Sequence, residues 1–579
     1  MPSATTAPHA RRRSTAARRP PWSRPYAPRI RRQGQIALAL ASLLGAGALA
    51  GCGGSSGSSG DPSSLAPASA PLYASIAVKP SGGNGGDAAT VAKQLTHLAE
   101  PYGSLAQALL SSEGSHVEFK RDIEPWVGQS AGVFITSLDT SKLPKNGGSV
   151  QALLEGGLTG TASSLGAGTF GAGAAQGAIV LQTSDVGRAR SFLEERAHAQ
   201  QAHTTSYRGV TYQVSANGAA EGIVKDFAVI GSESGIKAAI DTSLGGSPIT
   251  SASNYLEPPS DAIASAYAQP EALLQAVHGT DGLTGQGVSL LGELFADAQS
   301  ASVSVTPSSN TISIQGEVHS SNDSAPLFGQ ESAKQLGELP GDSWLAAGVG
   351  NVGANLPRAL ALLHGVASFG TSTIFSSLGG PSIEKLLGAV DSPSAKLQQD
   401  FASWAGSGGM FVSGTGLFNL QAALVISSNN PTASRAAVGK LGDIFKSAGA
   451  IVGNASIAGT DAAVSIKLQG FPAVLYIADG QGKFVLGLGE PSVQGALSPS
   501  STLSTSPTYA SATSALGGGI EPSLIVEFPT LLGFLEGIGL AQSQGISSLV
   551  PYLKSLGTLS AGATSQGGVQ RFRAVLGLG

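Results

Sequence analysis

The sequence predicts an α+β fold built as two tandem duplicated modules, each a largely antiparallel sheet covered by helices. Three observations predict it. The chain has 579 residues, 41% of them hydrophobic, which is too long for one ordinary core and apolar enough to fill two. From about residue 72 onward, strand-like runs alternate with amphipathic helical stretches and close in hairpins. Segments of the first half also recur, in the same order, in the second.

Residues 1–51 stand apart from the rest. They carry nine arginines (Arg11, Arg12, Arg13, Arg18, Arg19, Arg24, Arg29, Arg31 and Arg32) and no acid, followed by an apolar run over 36–50. A basic stretch before a short apolar one is the pattern of a secretory signal, and the run falls short of the roughly 20 residues a spanning helix needs. Arg31-Arg32 is followed by Gln33-Gly34-Gln35, which departs from the apolar continuation of a twin-arginine signal. Leu49-Ala50-Gly51-Cys52 then resembles the lipobox of bacterial lipoproteins, in which the cysteine is acylated and becomes the first mature residue. Cys52 is the chain's single cysteine. The resemblance implies lipid anchoring at Cys52, on the outer face of the bacterial cytoplasmic membrane, and a body without intrachain disulfides.

With nine of the 33 Lys and Arg residues before Cys52, the remainder carries 24 basic against 37 acidic residues, a net −13. That balance argues against nucleic acid as a partner. It leaves the membrane, reached through the lipid, and an envelope protein or apolar ligand as expected partners.

Residues 52–71 read as a Gly/Ser linker. The first module spans 72–319, interrupted by a Gly/Ser/Ala-rich surface loop at 145–177. A second linker covers 320–336, and the second module runs over 337–579. Their paired segments begin with Leu72-Tyr73-Ala74-Ser75-Ile76 against Trp344-Leu345-Ala346-Ala347. Asp122-Ile123-Glu124-Pro125-Trp126 is echoed by Asp400-Phe401-Ala402-Ser403-Trp404. Ala178-Ile179-Val180-Leu181 before a helix capped at Asp185 matches Ala423-Leu424-Val425-Ile426 before one capped at Asn430 with Pro431 at its first position. Phe227-Ala228-Val229-Ile230-Gly231 matches Phe484-Val485-Leu486-Gly487, Tyr255 matches Tyr509, and Ile263-Ala264-Ser265-Ala266-Tyr267 matches Leu524-Ile525-Val526-Glu527-Phe528. Each copy ends in a hairpin.

Several stretches together are similar to the bacterial family called domain of unknown function 3352. They are Asp122 with Pro125-Trp126-Val127-Gly128, Ser206-Tyr207-Arg208-Gly209-Val210, Val224-Lys225-Asp226-Phe227, the run Gly231 to Asp241, and Leu339-Pro340-Gly341-Asp342-Ser343. The resemblance covers nearly the whole chain after Cys52. It implies a secreted or lipid-anchored envelope protein without an assigned activity, and carries over no functional residues.

Enzyme-like strings are weighed on what their chemistry requires. Gly348-Val349-Gly350-Asn351-Val352-Gly353 spells G-x-G-x-x-G, but a dinucleotide site also needs an acidic residue about 20 positions on, after a second parallel strand. Val366 to Thr371 offers neither. Gly128-Gln129-Ser130-Ala131-Gly132 fits G-x-S-x-G, yet a nucleophile elbow runs into a helix, whereas Val133-Phe134-Ile135 reads as a strand; a turn accounts for it. His198 and His203 lack the i, i+4 spacing of helical metal ligands. The stripe Val91, Leu95, Leu98, Tyr102, Leu105, Leu109 reads as core, and Trp126 and Trp404 as packing residues beside a glycine. No cofactor is expected and the chain is read as non-catalytic: an envelope lipoprotein acting as a binding or scaffolding module. The alternative is a carrier holding lipid or another apolar ligand in a cavity between sheet and helices.

Overall fold

The computed structural model describes residues 60–79, 83–96, 118–139, 175–278, 297–321, 326–356, 358–359, 397–416, 418–469, 473–543, 546–547 and 549–579. The signal segment, Cys52 and residues 145–174 of the surface loop lie outside the described residues.

In the first half the strands are β1 (Leu72–Ala77), β2 (Val127–Asp139), β3 (Ala175–Thr183), β4 (His203–Tyr207), β5 (Val210–Val214), β6 (Ala219–Val224), β7 (Phe227–Ser232), β8 (Ala264–Ala268), β9 (Val277–His278), β10 (Ala298–Ser308) and β11 (Thr311–Ser320). Helices α1 (Gly83–Thr96), α2 (Val186–Ala199), α3 (Glu233–Ser243) and α4 (Pro270–Ala276) join them. The second half has β12 (Ser343–Val349), β13 (Ala405–Ser413), β14 (Gln421–Ser428), β15 (Ile451–Asn454), β16 (Ala462–Lys467), β17 (Val474–Gly480), β18 (Lys483–Leu488), β19 (Pro522–Glu527), β20 (Leu556–Gln566) and β21 (Val569–Leu578). Its helices are α5 (Gln330–Gly337), α6 (Leu397–Ala402), α7 (Pro431–Ser447), α8 (Gly489–Leu497), α9 (Pro507–Leu516), α10 (Phe528–Gly537) and α11 (Val550–Lys554).

All 21 strands belong to one hydrogen-bonded sheet. The two-residue β9 runs parallel to the end of β2. Every other pairing is antiparallel, in the spatial order β4-β5-β6-β7-β3-β2-β1-β8-β10-β11, then β21-β20-β19-β12-β13-β14-β18-β17-β16-β15. Read outward from its centre, the second list repeats the first strand for strand.

The expectation of two modules with separate sheets is therefore overturned. Strand β11 pairs with β21 from Thr311↔Gly577 to His319↔Val569 without a register shift. The physical reason is that each half ends in a hairpin whose last strand would otherwise present an unpaired edge of N–H and C=O groups, and each edge satisfies the other. Side chains agree with the backbone. On one face Ile312, Ile314, Leu556, Leu559 and Leu576 share a core with Val305, Ile263 and Val91 of α1, so hydrocarbon from both halves is buried together. Directly across the joint, Phe572 covers Gly316, whose absent Cβ would meet that ring at 2.6 Å and the Ser302 carbonyl at 2.1 Å. On the polar side, Arg571 Nε donates to Glu317 Oε1 at 2.6 Å and Arg573 Nε to Ser313 Oγ at 3.1 Å.

Both expected linkers shrink. Asp61 caps a 3-10 turn over Pro62–Ser64 through its side chain, and Leu65, Ala66 and Ala70 are fully buried, so the chain is folded well before residue 71. The 320–336 segment contains most of α5, whose Ser332, Ala333 and Leu336 are buried against the second half. These segments play corresponding parts: Ile249 N–H donates to Ala66 C=O and Leu503 N–H to Leu339 C=O, each at 2.7 Å.

Small residues and caps place the helices on the sheet. Asp185 accepts from Arg188 N–H at 3.0 Å to start α2, and Asn430 accepts from Ala433 N–H at 3.2 Å to start α7. The carbonyl of Trp126 takes the N–H of Ser184, and that of Trp404 the N–H of Asn429, each at 2.7 Å. Both indoles are buried between the sheet and these helices. Two strand alignments expected from sequence are corrected. Tyr73 and Ala346 both oppose an equivalent phenylalanine, Phe134 and Phe411, one position off the expected match, because β12 bulges at Trp344. On the neighbouring strand Tyr267 corresponds to Ile525 rather than to Phe528.

Candidate functional site

The strings singled out in the sequence resolve into packing. Gly348 lies under α5, where a Cβ would meet the Ser332 carbonyl at 1.9 Å, and at Gly353 one would meet the Ala405 carbonyl at 2.3 Å. Asn351 between them adopts a left-handed φ of 51°, and its N–H donates to Ser407 Oγ at 3.1 Å. These glycines let elements approach one another.

The Gly128–Gly132 string is a bulge inside β2 rather than the expected turn. Gln182 Oε1 fills it, accepting from Gln129 N–H at 2.8 Å and Ser130 N–H at 3.2 Å. His198 lies on α2 and His203 on β4, both exposed. Among the described residues no three His, Cys, Asp or Glu are placed to hold a metal. Val91 of the helical stripe is fully buried in the core shared by the halves, and the stripe from Leu98 onward lies outside the described residues. No helix among the described residues is long and apolar enough to cross a membrane.

Two polar arrangements stand out in the first half. One is an exposed face where the β4–β5 hairpin meets α3. Arg208 and Gly209 take positive φ, 49° and 85°, the backbone of a tight hairpin turn. That turn carries Tyr207 and Arg208 over α3, where Tyr207 OH donates to Asp241 Oδ2 at 3.3 Å and Arg208 Nη1 to Asp241 Oδ1 at 2.7 Å. One turn earlier on α3, Lys237 Nζ lies 2.8 Å from Glu233 Oε1 and 5.6 Å from the centre of the Tyr207 ring. Tyr212 OH donates to the same Glu233 oxygen at 3.2 Å.

The electrostatics follow from these contacts. The Lys237 ammonium bonded to Glu233 holds that carboxyl below its ordinary range and is itself raised by it. Burial raises the Tyr212 phenol, with Lys237 opposing. Solvent-exposed pairs of this kind add little stability; what they provide is a patterned set of donors and acceptors. Arg208 and Asp241 both belong to stretches that carry the family resemblance. Nothing in the sequence brings them together, because the contact depends on α3 folding back over the sheet.

Beneath the sheet's other face is the second arrangement, a buried ion pair that the sequence reading missed. Arg196 Nε on α2 lies 3.1 Å from Glu221 Oε2 on β6, with the side chains only 5% and 7% exposed. Glu221 Oε1 has no hydrogen-bond partner among the described residues. Burial pushes the Glu221 carboxyl up to about 7, with the Arg196 charge opposing, and burial lowers the Arg196 guanidinium. A signal existed in the sequence: Glu221 interrupts the apolar run from Ala219 to Val224, and Arg196 follows Leu193 by three residues on the inward stripe of α2.

Comparisons with known proteins place the chain by family and no further. No curated protein matches it. Among solved structures, crystal forms I, III and IV of TP0453 match at 10% identity, covering 46%, 46% and 45% of this chain and 82%, 83% and 80% of that one. Their TM-scores are 0.23, 0.22 and 0.22, a level of likeness that carries no structural inference. The family described as "Protein of unknown function (DUF3352)" matches residues 35–523, most of the chain, and the protein belongs to that family.

Proposed function

We propose that this protein is tethered by lipid at Cys52 to the outer face of the bacterial cytoplasmic membrane, where its sheet serves as a non-catalytic binding or scaffolding body. The tether reading rests on the Arg-rich and apolar segments that lead to Leu49-Ala50-Gly51-Cys52. From Cys52 to Gly60, where the described body begins, are eight residue steps, at most about 28 Å of chain, so the tether holds the body close to the bilayer.

The observation that carries the scaffolding reading is how the polar groups of the exposed face are used. Asp241 is engaged by Tyr207 and Arg208, and Glu233 by Tyr212 and Lys237. Groups committed to one another in this way hold a surface in shape and offer it to a partner.

The test is fractionation followed by native mass spectrometry of protein extracted from its own membrane. Cys52→Ser is expected to lose membrane retention while its body stays folded; a Ser variant that remains with membranes after a high-salt wash would overturn the tether. A co-purifying protein supports the scaffold, whereas a retained apolar ligand would replace it with the carrier reading.

A further inference from the structure

The two halves carry matching helices on matching strands but fasten them differently. Counting from their caps, Asp185 and Asn430, position 196 of α2 corresponds to Leu441 of α7. Counting from the β6–β7 and β17–β18 turns, where Lys225 and Gln481 share a left-handed φ of 52° and 51°, Glu221 corresponds to Ile477. Where the first half has a buried ion pair, the second has Leu441 against Ile477, 6% and 1% exposed.

We propose that α2 is a cover that lifts from the sheet as a unit while α7 stays down, and that the Arg196–Glu221 pair sets how often it lifts. Closing α2 strips water from two ions, and their mutual attraction returns little beyond that cost. Closing α7 at the same place buries two hydrocarbon side chains, a wholly favourable step. Opening α2 rehydrates both ions, whereas opening α7 exposes that apolar surface and also breaks the 2.6 Å bond from Ser434 to Asp479 at the other end of the helix, so the first half has the lower opening free energy. Lifting α2 uncovers Ile179, Leu181, Ala228 and Ile230, which lie under Ala189 and Leu193.

The pair also makes the cover respond to pH. Facing Glu221 are Arg196 from α2, Gln213 across the ladder on β5 and Ile230 on β7, and Arg196 is the one charge among the described residues that biases it. His198 and His203 lie on exposed positions of α2 and β4. A carboxyl raised by burial in the closed state returns to its ordinary value when open. Protons therefore favour closure, and opening grows as pH rises through about 7.

Amide hydrogen exchange on the full chain tests this. In the wild type at pH 8, α2 amides are expected to exchange through openings at least about tenfold more frequent than those of α7, with rates corrected for intrinsic exchange. Between pH 5.5 and 8 the α2 openings should rise by up to roughly 30-fold. Arg196→Leu with Glu221→Ile, which installs the second half's pair, should bring α2 down to the α7 level and remove the pH response. Glu221→Gln, which keeps the size but not the ionisation, should abolish the pH response, and because it removes the counter-ion of the buried Arg196, α2 should open at least as often as in the wild type at every pH. Equal opening of α2 and α7 in the wild type, or a pH response that survives in either variant, would overturn the proposal.

Discussion

Set side by side, the two halves of the sheet place one buried polar pair each between the same helix and the same strand, but at opposite ends. In the first half it is Arg196 with Glu221, near the end of α2. In the second it is Ser434, in the first turns of α7, which donates to Asp479 Oδ2 at 2.6 Å. Burial raises the Asp479 carboxyl, with the bond from Ser434 opposing. The partner positions are filled the other way round: Ala189 stands where Ser434 would be and Ile223 where Asp479 would be. Helix-on-sheet packing thus tolerates one polar pair at either level as long as the other level is apolar. The choice decides which end of the helix is held by hydrocarbon.

Three substitutions sharpen or break this comparison. The largest effect is expected for Ile477→Glu, which puts an acid where the second half has Leu441 rather than an arginine. An uncompensated buried charge costs about 3–5 kcal/mol, seen as a lowered urea midpoint; a loss below about 1 kcal/mol would mean that the two levels are not equivalent in environment. Next is Ser434→Ala, which leaves Asp479 without its 2.6 Å donor and should cost about 1–3 kcal/mol. It also copies the first half's Ala189, so the small residue alone should not rescue stability while Asp479 remains. Smallest are the caps, where Asp185→Ala and Asn430→Ala should each cost about 1 kcal/mol. Unequal costs, read from the same urea curves, would show that one helix relies on its start more than the other.

How much of this was legible in the sequence varies with the range of the interaction. Caps at Asp185 and Asn430 and the order of the paired segments depend on local chemistry, and they could be read directly. Strand alignments were read less well, since a bulge at Trp344 moves the β12 register by one without changing the apolar pattern. The joint was not legible. Alternation along Thr311–Ser320 is the same whether the strand's outer edge meets water or another strand, and Gly316 gives no hint that Phe572 covers it. The exposed face was half visible: its residues sit in the stretches that resemble the family, but Tyr207, Arg208 and Asp241 meet only through the fold.

The joint between β11 and β21 also sets a schedule. Strand β11 is complete at residue 320, while its neighbour begins at residue 569, so about 250 residues must be made and arranged before the edge is covered. Through that interval the first half carries an open strand next to unshielded Ile312 and Ile314. Such an edge is a template for pairing with the wrong chain. Closure of the sheet is consequently a long-range and slow step, and the chain's need for protection during assembly is concentrated at this one strand.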